Sequence, residues 1–466
     1  MQSHLCFNKY SLNKDQQIKD LLAQVELLTR QVSALLKENA ELRERLARYE
    51  NPKNSRNSSV PPSKDENRPF KSKSLREKSG KRPGGQAGRK GSTLEMTENP
   101  DHRINHIPCY CGKCGSDLSG VPYDLSGKRQ IIDLPPIKPV FTEHRIYQTQ
   151  CACGHTTSGT YPAAAIAAVN YGPGVESLVG YFHSRQYLPF LRMKELFNDV
   201  LGIPISEGGL HCMVKRLTEK AIPIYEHLRT RIIESSVVGT DETGAKVDGK
   251  KSWMWAWQNA KTTFIAASPN RGYATIEKNF PNGFPKSIIV SDCWKSHFQP
   301  IAAGHQLCMA HLLRELNYLQ ERYQSAWAKK CKVLFMRAMA LKKQMNAEDY
   351  LNHQPPRSLI ETHMDQLLSM PTNDKHKEVT TFKKRMIKYR SYLFTFLHHQ
   401  QVPPDNNGSE RAIRNIKVKQ KISGQFKSKN AAQRFAILRS ITDTAIKNGQ
   451  NVLNSLLCVA MLERTD

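Results

Sequence analysis

Two segments, Ser236-Val-Val-Gly-Thr-Asp241-Glu-Thr-Gly244 and Ser287-Ile-Ile-Val-Ser-Asp292, decide how the middle of this 466-residue chain folds. Each is a short apolar run that reaches an aspartate, as is typical of a buried strand with a polar end. Between them, an Asp248-Gly249 turn predicts a hairpin with Lys251–Gln258, whose three tryptophans share one face. A further strand at Thr262–Ala267 and a short helix complete the connection. The sequence therefore predicts a mixed core of strands and helices.

The order of these elements places the two aspartates side by side. Three antiparallel strands, a crossover helix and a fourth strand give the layout of a ribonuclease-H-like fold, in which the first and fourth strands are neighbours. Asp241 and Asp292 would then lie together, although unpaired carboxylates are costly to bury. Converging carboxylates are the ligands that Mg²⁺ or Mn²⁺ requires. We therefore predict a divalent-metal site at these strand ends.

A third acidic ligand is expected from a later helix. Residues 403–414 contain turn residues that lead into a helix start, with Glu410 in its first turns. Basic residues that could hold DNA phosphates follow closely: Arg411, Arg414, Lys417, Lys419 and Lys421. A two-metal site on Asp241, Asp292 and Glu410 could activate water or a 3′-hydroxyl and stabilise the leaving oxygen. Taken singly, these residues could instead cap a helix, pair with a lysine or lie on a solvated helix face.

Residues 1–50 predict a leucine-zipper coiled coil. From residue 18 to residue 46, β-branched residues recur at one heptad position and leucines at the other, which favours a two-stranded parallel coil. Asn39 lies in this seam, where a polar residue fixes register and oligomer state. An amphipathic helix packed on its own protein would carry a similar stripe. Four unbroken heptads favour a homodimer instead.

The charge of the chain favours a nucleic-acid partner. Lys and Arg number 69 against 42 acidic residues, a formal net charge of +27, and such an excess usually meets a polyanion. Residues 51–105 are rich in Ser, Pro, Gly and basic residues and predict a disordered linker that could also contact phosphates. No run of about 18 apolar residues and no secretory signal occurs. We therefore expect a cytoplasmic protein with no membrane partner.

Residues 106–160 predict a small zinc-ribbon-like module. Cys111-Gly-Lys-Cys114 has the two-residue spacer that lets both thiolates face one ion, and Cys151-Ala-Cys153 follows with a one-residue spacer. Structural zinc takes four tetrahedral sulfur or nitrogen ligands. The predicted ligands are Cys111, Cys114, Cys151 and Cys153, with Cys109 or His155 as possible substitutes. Free thiols in a reduced protein are the alternative.

Residues 161–234 predict a helical segment that could read DNA. Helical apolar spacing recurs over Gly174–Arg185, Pro189–Val200 and Ser206–Lys220, and a short Gly/Pro turn joins the last two. This pair resembles a helix-turn-helix, whose second helix would present Lys215 and Arg216 to DNA. Any small helical domain contains such pairs, so ordinary packing is the alternative interpretation.

Seven motifs spread over the chain are shared with a known family. They are Tyr171-Gly-Pro-Gly174, Arg185-Gln-Tyr-Leu-Pro189, Gly202-Ile-Pro-Ile-Ser-Glu-Gly208, Asp241-Glu-Thr-Gly244, Ser291-Asp-Cys-Trp-Lys295, Cys308-Met-Ala-His311-Leu-Leu-Arg-Glu-Leu316 and Asn406-Asn-Gly-Ser-Glu-Arg411. Through them, and through the order of zipper, linker, zinc module and tail, the chain resembles the insertion-sequence-66 family of bacterial transposases. The one-residue spacer between Cys151 and Cys153 departs from the family pattern.

The resemblance implies that Asp241, Asp292 and Glu410 form the acidic triad of a transposase. Such an enzyme cleaves the terminal repeats of its insertion element and transfers the strands into target DNA. The core would span residues 235–430, with a mostly helical insertion at about 309–401, and a helical tail would span 431–466. The resemblance also implies a nucleoid-associated bacterial protein that could need helper proteins of the same element.

Three points stay open at this stage. His311 and Arg314 are expected to orient a carboxylate or contact the scissile phosphate. A second metal site is disfavoured because soft thiols are poor partners for magnesium; its candidate ligands would be Cys293, His297, His305, Cys308 and His311. The competing functions are a catalytically inactive DNA-binding protein derived from a transposase, and a nuclease of the same fold that cuts without rejoining.

Overall fold

The computed structural model divides the chain into two units. It describes residues 3–50, 52–54, 57–58, 65–67, 88, 94–135, 137–162, 165, 167–352, 355–372 and 376–463. One unit comprises residues 1–68, 145–194 and 206–466, and the other comprises residues 69–144 and 195–205. Among the described helices, none combines the length and apolar character needed to cross a bilayer.

The first element, α1 (Ser3–Glu50), runs through the whole predicted zipper. Eight apolar residues of the predicted seam are each more than half exposed: Ile18, Leu21, Val25, Leu28, Val32, Leu35, Leu42 and Leu46. The stripe is therefore not buried against the described part of its own chain. A short antiparallel hairpin, β1 (Gln148–Gln150) and β2 (Thr156–Ser158), follows much later.

Three helices precede the central sheet: α2 (Pro173–Ser184), α3 (Phe190–Asp199) and α4 (Glu207–Ile233). Ser206 begins α4 as the sequence predicts, since its hydroxyl accepts a hydrogen bond from the amide of Gly209 at 3.0 Å. The predicted end of α4 at Lys220 is wrong by about three turns, because apolar residues continue to face the core as far as Ile232.

A five-stranded sheet lies at the centre of the larger unit. Its strands are β3 (Val237–Val247), β4 (Lys250–Gln258), β5 (Thr263–Ser268), β6 (Phe284–Ser291) and β7 (Ala302–Leu307), and α5 (Tyr273–Asn279) connects β5 to β6. The spatial order is β5-β4-β3-β6-β7, with β3, β6 and β7 parallel and the β3–β4 and β4–β5 pairs antiparallel. Asp248 and Gly249 both have positive φ, so they form the predicted hairpin turn.

The edge strand β7 was missed from the sequence. Its residues Ala302–Leu307 include a glycine, a histidine and a glutamine, a composition that reads as a loop. The polar side chains are accommodated by distant partners, since Gln306 bonds the backbone of residues 393 and 396. Only the tertiary structure supplies those partners.

Eight helices complete the described fold. They are α6 (Met309–Tyr323), α7 (Ala326–Gln344), α8 (Pro355–Ser369), α9 (Lys377–Lys388), α10 (Thr395–His398), α11 (Asn407–Ser423), α12 (Lys429–Lys447) and α13 (Val452–Met461). The helices α6 to α10 form the insertion that the sequence predicts at about 309–401, and α12 and α13 form the predicted helical tail. The buried residues of α6 to α10 join Ile288 and Val290 of β6 in one core.

The two faces of the sheet bury different kinds of residue. Ala245 and Val247 of β3 pack with α11 and α12 on one face. On the other face, Trp255 and Trp257 of β4 are fully buried and contact aromatic residues of neighbouring elements. Since side chains alternate along a strand, Asp241 shares the face of Ala245. This alternation positions the site described below.

Two residues at the start of the predicted linker contact helices of the insertion. Asn57, 2% exposed, donates a hydrogen bond to the carboxylate of Glu321 on α6 at 3.1 Å. The amine of Lys53 lies 3.4 Å from the carboxylate of Glu378 on α9 and 4.8 Å from the ring centre of Tyr318. Lys53 and Asn57 therefore contact α6 and α9, and the disordered linker over residues 51–105 stays a prediction.

Candidate active site

Three acidic residues from distant parts of the chain meet over the inner strands β3 and β6, where β6 ends. Asp241 lies on β3, and Asp292 directly follows β6. The parallel pairing of β3 with β6 aligns Gly239 with Val290, so Asp241 and Asp292 follow that pair on the same face. Glu410 lies in the first turn of α11, which packs on β3 and β4. The structure thus brings the three sequence-predicted residues together.

A polar clamp seats the start of α11 on the sheet. The side-chain amide of Asn406 donates to the carbonyl oxygen of Thr240 at 2.7 Å, and the hydroxyl of Ser409 donates to Oδ1 of Asn406 at 2.7 Å. The backbone amide of Asn406 also donates a hydrogen bond to Sγ of Cys308 at 3.2 Å. Asn406 and Ser409 are both buried. Thr240 directly precedes Asp241, so these hydrogen bonds hold the start of the helix that carries Glu410 close to Asp241.

Two glycines allow α11 to approach the sheet closely. A Cβ atom on Gly239 would lie 2.4 Å from Nε2 of Gln258 and 2.6 Å from Oδ1 of Asn406. A Cβ atom on Gly408 would lie 2.5 Å from Nε2 of Gln258. All three distances are shorter than real contacts allow. A side chain at Gly239 would displace buried Asn406, and one at Gly408 would displace the end of the Gln258 side chain.

Asp241 is buried among other carboxylates, and this disfavours its charged form. Burial, followed by the neighbouring carboxylates of Glu242, Asp292 and Glu410, raises its pKa well above the ordinary value. The backbone amide of Glu242 donates to Oδ1 of Asp241 at 2.9 Å and opposes this effect. Of these carboxylates, Asp241 is the one whose charge is disfavoured, because Glu242 and Glu410 are each paired with an arginine.

Of the two residues that the sequence singles out on α6, Arg314 bonds Glu410 and His311 lies nearby. A guanidinium nitrogen of Arg314 lies 2.5 Å from Oε1 of Glu410, and Nδ1 of His311 lies 3.8 Å from the same oxygen. Burial and the nearby Arg314 lower the pKa of His311, while Asp292 and Glu410 oppose that effect. His311 is therefore a neutral imidazole at neutral pH.

A buried network that the sequence did not reveal supports Asp292. Oδ1 of Asp292 accepts a hydrogen bond from the amide of Trp294 at 2.9 Å and lies 3.5 Å from Nε2 of His297. The same nitrogen lies 3.1 Å from Oε2 of Glu242, whose Oε1 accepts from Nε of Arg271 at 2.7 Å. Burial acts to raise the pKa of Glu242, but the bonds from His297 and Arg271 outweigh it and the pKa is lowered.

The signal for this network was present but weak. Glu242 follows Asp241 in the motif, and strand alternation turns it to the opposite face, where it needs its own partners. Those partners are 55 residues away in the case of His297 and 29 in the case of Arg271. No local pattern identifies partners at such separations.

Among the described residues, no group of three or more histidine, cysteine or acidic side chains has converged into a metal-coordinating arrangement. Glu410 is drawn towards Arg314, and Asp292 is bonded to the backbone of Trp294. The disfavoured second metal site gains no support, because burial raises the pKa of the Cys293 and Cys308 thiols to about 12. These thiols are protonated at neutral pH and are poor ligands.

The basic residues predicted to contact DNA are placed differently from one another. Arg411 and Arg414 are exposed on α11. Lys215 is exposed on α4, 3.8 Å from Glu219. Arg216, by contrast, pairs with the buried Glu176 of α2 at 3.3 Å, and this ion pair joins two helices.

Two lysines of α11 do not face outward as predicted. Nζ of Lys417 donates to the carbonyl oxygen of Gly244 at 2.6 Å and so fastens α11 to β3. Lys419 is only 7% exposed, and burial lowers its pKa to about 8. The helical repeat turns Lys419 towards the core while Arg411 and Arg414 point away, so the prediction that Lys419 contacts phosphate is wrong for this conformation.

The cysteine pairs form two separate tight turns. In the smaller unit, the amide of Gly115 donates to the carbonyl oxygen of Cys111 at 2.9 Å, and Gly115 has a φ of 75°. Hydrogen bonds from Ser116 and then from Cys111 lower the pKa of Cys114 to about 7. In the larger unit, the amide of Gly154 donates to the carbonyl oxygen of Cys151 at 2.8 Å, and bonds from Cys153 lower the pKa of Cys151. Easily ionised thiols in such turns suit a soft metal ion.

Comparison with protein-family models gives three matches. The model described as "Transposase IS66 family" matches residues 168–434, which is more than half of the chain. The model described as "zinc-finger binding domain of transposase IS66" matches residues 108–154, and a family of unknown function, DUF6444, matches residues 12–95. A search of curated proteins finds no match. Both cysteine pairs and all three acidic residues lie within the matched regions.

Proposed function

The chain belongs to the IS66 family of transposases, and from that premise we propose that it cuts and joins DNA with Asp241, Asp292 and Glu410. The observation that carries the proposal is the electrostatic state of Asp241. This carboxylate lies among three others, and its pKa is raised well above the ordinary value. A protein seldom keeps such a cluster unless a cation binds there.

The topology of the sheet supports a ribonuclease-H-like core. An antiparallel meander of three strands is followed by two parallel strands beside the first, in the order β5-β4-β3-β6-β7. This order gives the first and fourth strands adjacent ends on one face, and α11 supplies the third carboxylate. The insertion α6–α10 enters between the second and third acidic residues and contributes Arg314 and His311.

The residues present fit Mg²⁺ or Mn²⁺, which favour carboxylate oxygen ligands. When bound, such ions neutralise the carboxylates, activate the attacking oxygen and stabilise the leaving oxygen. Asp241, Asp292 and Glu410 would hold them. Arg314 and His311 orient the Glu410 carboxylate, and His297 with the backbone of Trp294 orients Asp292. The buried Glu242 keeps His297 in place.

DNA phosphates have candidate partners on α11 and α4. Arg411 and Arg414 are exposed on the helix that carries Glu410, so they would contact the backbone next to the cleaved bond. Lys215 would contact DNA farther away, whereas Arg216 and Lys419 have structural roles in this fold. If many such contacts form, affinity falls steeply as salt rises.

Zinc and a second chain complete the proposal. Cys111, Cys114, Cys151 and Cys153 would hold one structural zinc ion, with Cys109 or His155 as substitutes. The exposed apolar seam of α1 would pair with the same seam of a second copy, as the heptads predict. The active assembly would include the element's terminal repeats, target DNA and possible helper proteins, in the bacterial cytoplasm at the nucleoid.

Cleavage of labelled DNA ends from the chain's own element tests the function. With Mg²⁺ or Mn²⁺ we expect cut and joined products, and Asp241→Asn should abolish both while leaving end binding intact. Asp248→Asn is a matched control, since Asp248 is an exposed turn residue at the end of the same strand. Normal cutting by Asp241→Asn would show that the assigned site is wrong.

The same experiment separates the competing functions. Cut products without joined products would indicate a nuclease of the same fold. Binding without any product, even after the element's other proteins are added, would indicate an inactive DNA-binding derivative.

A further inference from the structure

A ladder of cationic and aromatic side chains begins two residues after Asp292 and continues on the sheet face that carries Glu242, opposite Asp241. The guanidinium carbon of Arg271 lies 4.0 Å from the ring centre of Trp294 and 4.9 Å from that of Trp253. The amine of Lys251 lies 5.2 Å from the ring centre of Trp253. Cations and aromatic rings therefore alternate in the order Lys251, Trp253, Arg271 and Trp294.

The ladder is tied directly to the proposed catalytic centre. The amide of Trp294 donates to Oδ1 of Asp292 at 2.9 Å, and its indole nitrogen lies 3.4 Å from the carbonyl oxygen of Arg271. Nε of Arg271 donates to the buried Glu242, the neighbour of Asp241 in β3. Trp294 is thus bonded to Asp292 itself, and Arg271 is bonded to the neighbour of Asp241.

The indole of Trp294 is far more exposed than packing requires. Trp255 and Trp257 on the same sheet are fully buried, whereas Trp294 is 37% exposed. The exposed part of Trp294 is available to a ligand, whereas Trp255 and Trp257 have no such area. Arg271 covers part of the ring, and the rest faces solvent beside Asp292. Lys295 and Lys251 are exposed nearby and add positive charge.

We propose that Trp294, supported by Arg271, is a stacking platform for an unpaired base of the DNA strand whose phosphate lies at the acidic triad. Aromatic rings and guanidinium planes are the groups that bind bases lacking a partner strand, because every base has an aromatic face. Lys295 and Lys251 bind the flanking phosphates. The platform rests on the proposed function, since it needs DNA at the acidic triad.

Stacking also explains why the platform adjoins the aspartate. A base removed from its helix leaves its own phosphate accessible to groups that a paired strand would hold away. An indole fixed two residues beyond Asp292 holds such a base within reach of the triad. The chain thereby acquires a preference for frayed or single-stranded ends over intact duplex.

Photo-crosslinking of the full-length chain tests the platform. The probe is a duplex with a short 3′ single-stranded extension that carries iododeoxyuridine, which crosslinks to an aromatic ring stacked on it under long-wavelength ultraviolet light. We expect peptide mass spectrometry to place the crosslink on Trp294. In fluorescence anisotropy, Trp294→Ala should bind the extended duplex about tenfold more weakly and a blunt duplex of the same length unchanged.

Two further variants control for folding and charge. Trp294→Phe keeps an aromatic face and should retain the preference for the extended duplex. Lys295→Ala should weaken binding to both duplexes by the same factor and should keep the crosslink on Trp294. If Trp294→Ala loses affinity for both duplexes equally, Trp294 has a merely structural role and the proposed platform is overturned.

The outcomes also separate the platform from the proposed function. Wild-type chain that binds and cuts DNA but crosslinks elsewhere overturns the platform and leaves the enzyme standing. Wild-type chain that crosslinks through Trp294 but cuts no DNA supports the platform and contradicts the enzyme.

Discussion

Replacing Gly239 with alanine should separate the third acidic residue from the other two without touching any of them. The new Cβ would lie 2.4 Å from Nε2 of Gln258, 2.6 Å from Oδ1 of Asn406 and 2.9 Å from Oγ of Ser409. Ordinary contacts need about 1 Å more. The end of the Gln258 side chain can turn away, but Asn406 and Ser409 are buried and bonded to each other, so we expect the start of α11 to move outward. That movement strains the Asn406–Thr240 and Ser409–Asn406 hydrogen bonds and carries Glu410 away from Asp241.

The magnitude follows from these contacts. Overpacking of this kind typically lowers the free energy of unfolding by about 1–3 kcal/mol. A misplacement of about 1 Å at a reacting centre costs on the order of 100-fold in rate. We therefore expect Gly239→Ala to slow cleavage of element ends about 100-fold, while binding to the same ends changes little.

Single-turnover cleavage of end DNA measures the rate, and urea unfolding measures the stability. Gly244→Ala is the matched control on the same strand, since its Cβ would lie 4.0 Å from Trp253, an ordinary contact. Cleavage by Gly239→Ala at the wild-type rate would refute the conclusion that this close approach positions Glu410.

Three other predictions test the site, the buried lysine and the zinc module. Without added metal, Asp241→Asn should raise the melting temperature because it removes a carboxylate whose charge is disfavoured there; Mn²⁺ should then stabilise wild type more than the variant, and equal responses would argue against metal binding at Asp241. Lys419→Met should stabilise the fold at pH 7 by about 3 kcal/mol, because burial holds the pKa of Lys419 at about 8, below its ordinary value of 10.5. Wild-type stability rises with pH between those two values, so in thermal melts the advantage of methionine should shrink over that window; a constant advantage would contradict the charge explanation. Elemental analysis should find zinc lost from Cys114→Ser and retained in Cys212→Ser, an exposed cysteine outside the matched zinc region.

The features that the sequence predicted are encoded over short distances. The Asp248-Gly249 turn, the strands around Asp241 and Asp292 and the cap at Ser206 each depend on a few adjacent residues, and the structure contains all of them. The heptads predicted a long N-terminal helix, and α1 follows them to Glu50. The order of these elements was enough to place Asp241 beside Asp292.

Only the tertiary structure decided which polar groups pair. Glu242 meets His297 across 55 residues, and Asn57 meets Glu321 across 264 residues. Lys419 is buried although the basic residues around it suggested a DNA-facing surface. Periodicity shows which face of an element is apolar, but a buried polar group is stabilised by whichever partner the whole fold brings to it. The triad could therefore be predicted from sequence, whereas the network that holds Asp292, the clamp that seats Glu410 and the ladder at Trp294 required the folded chain.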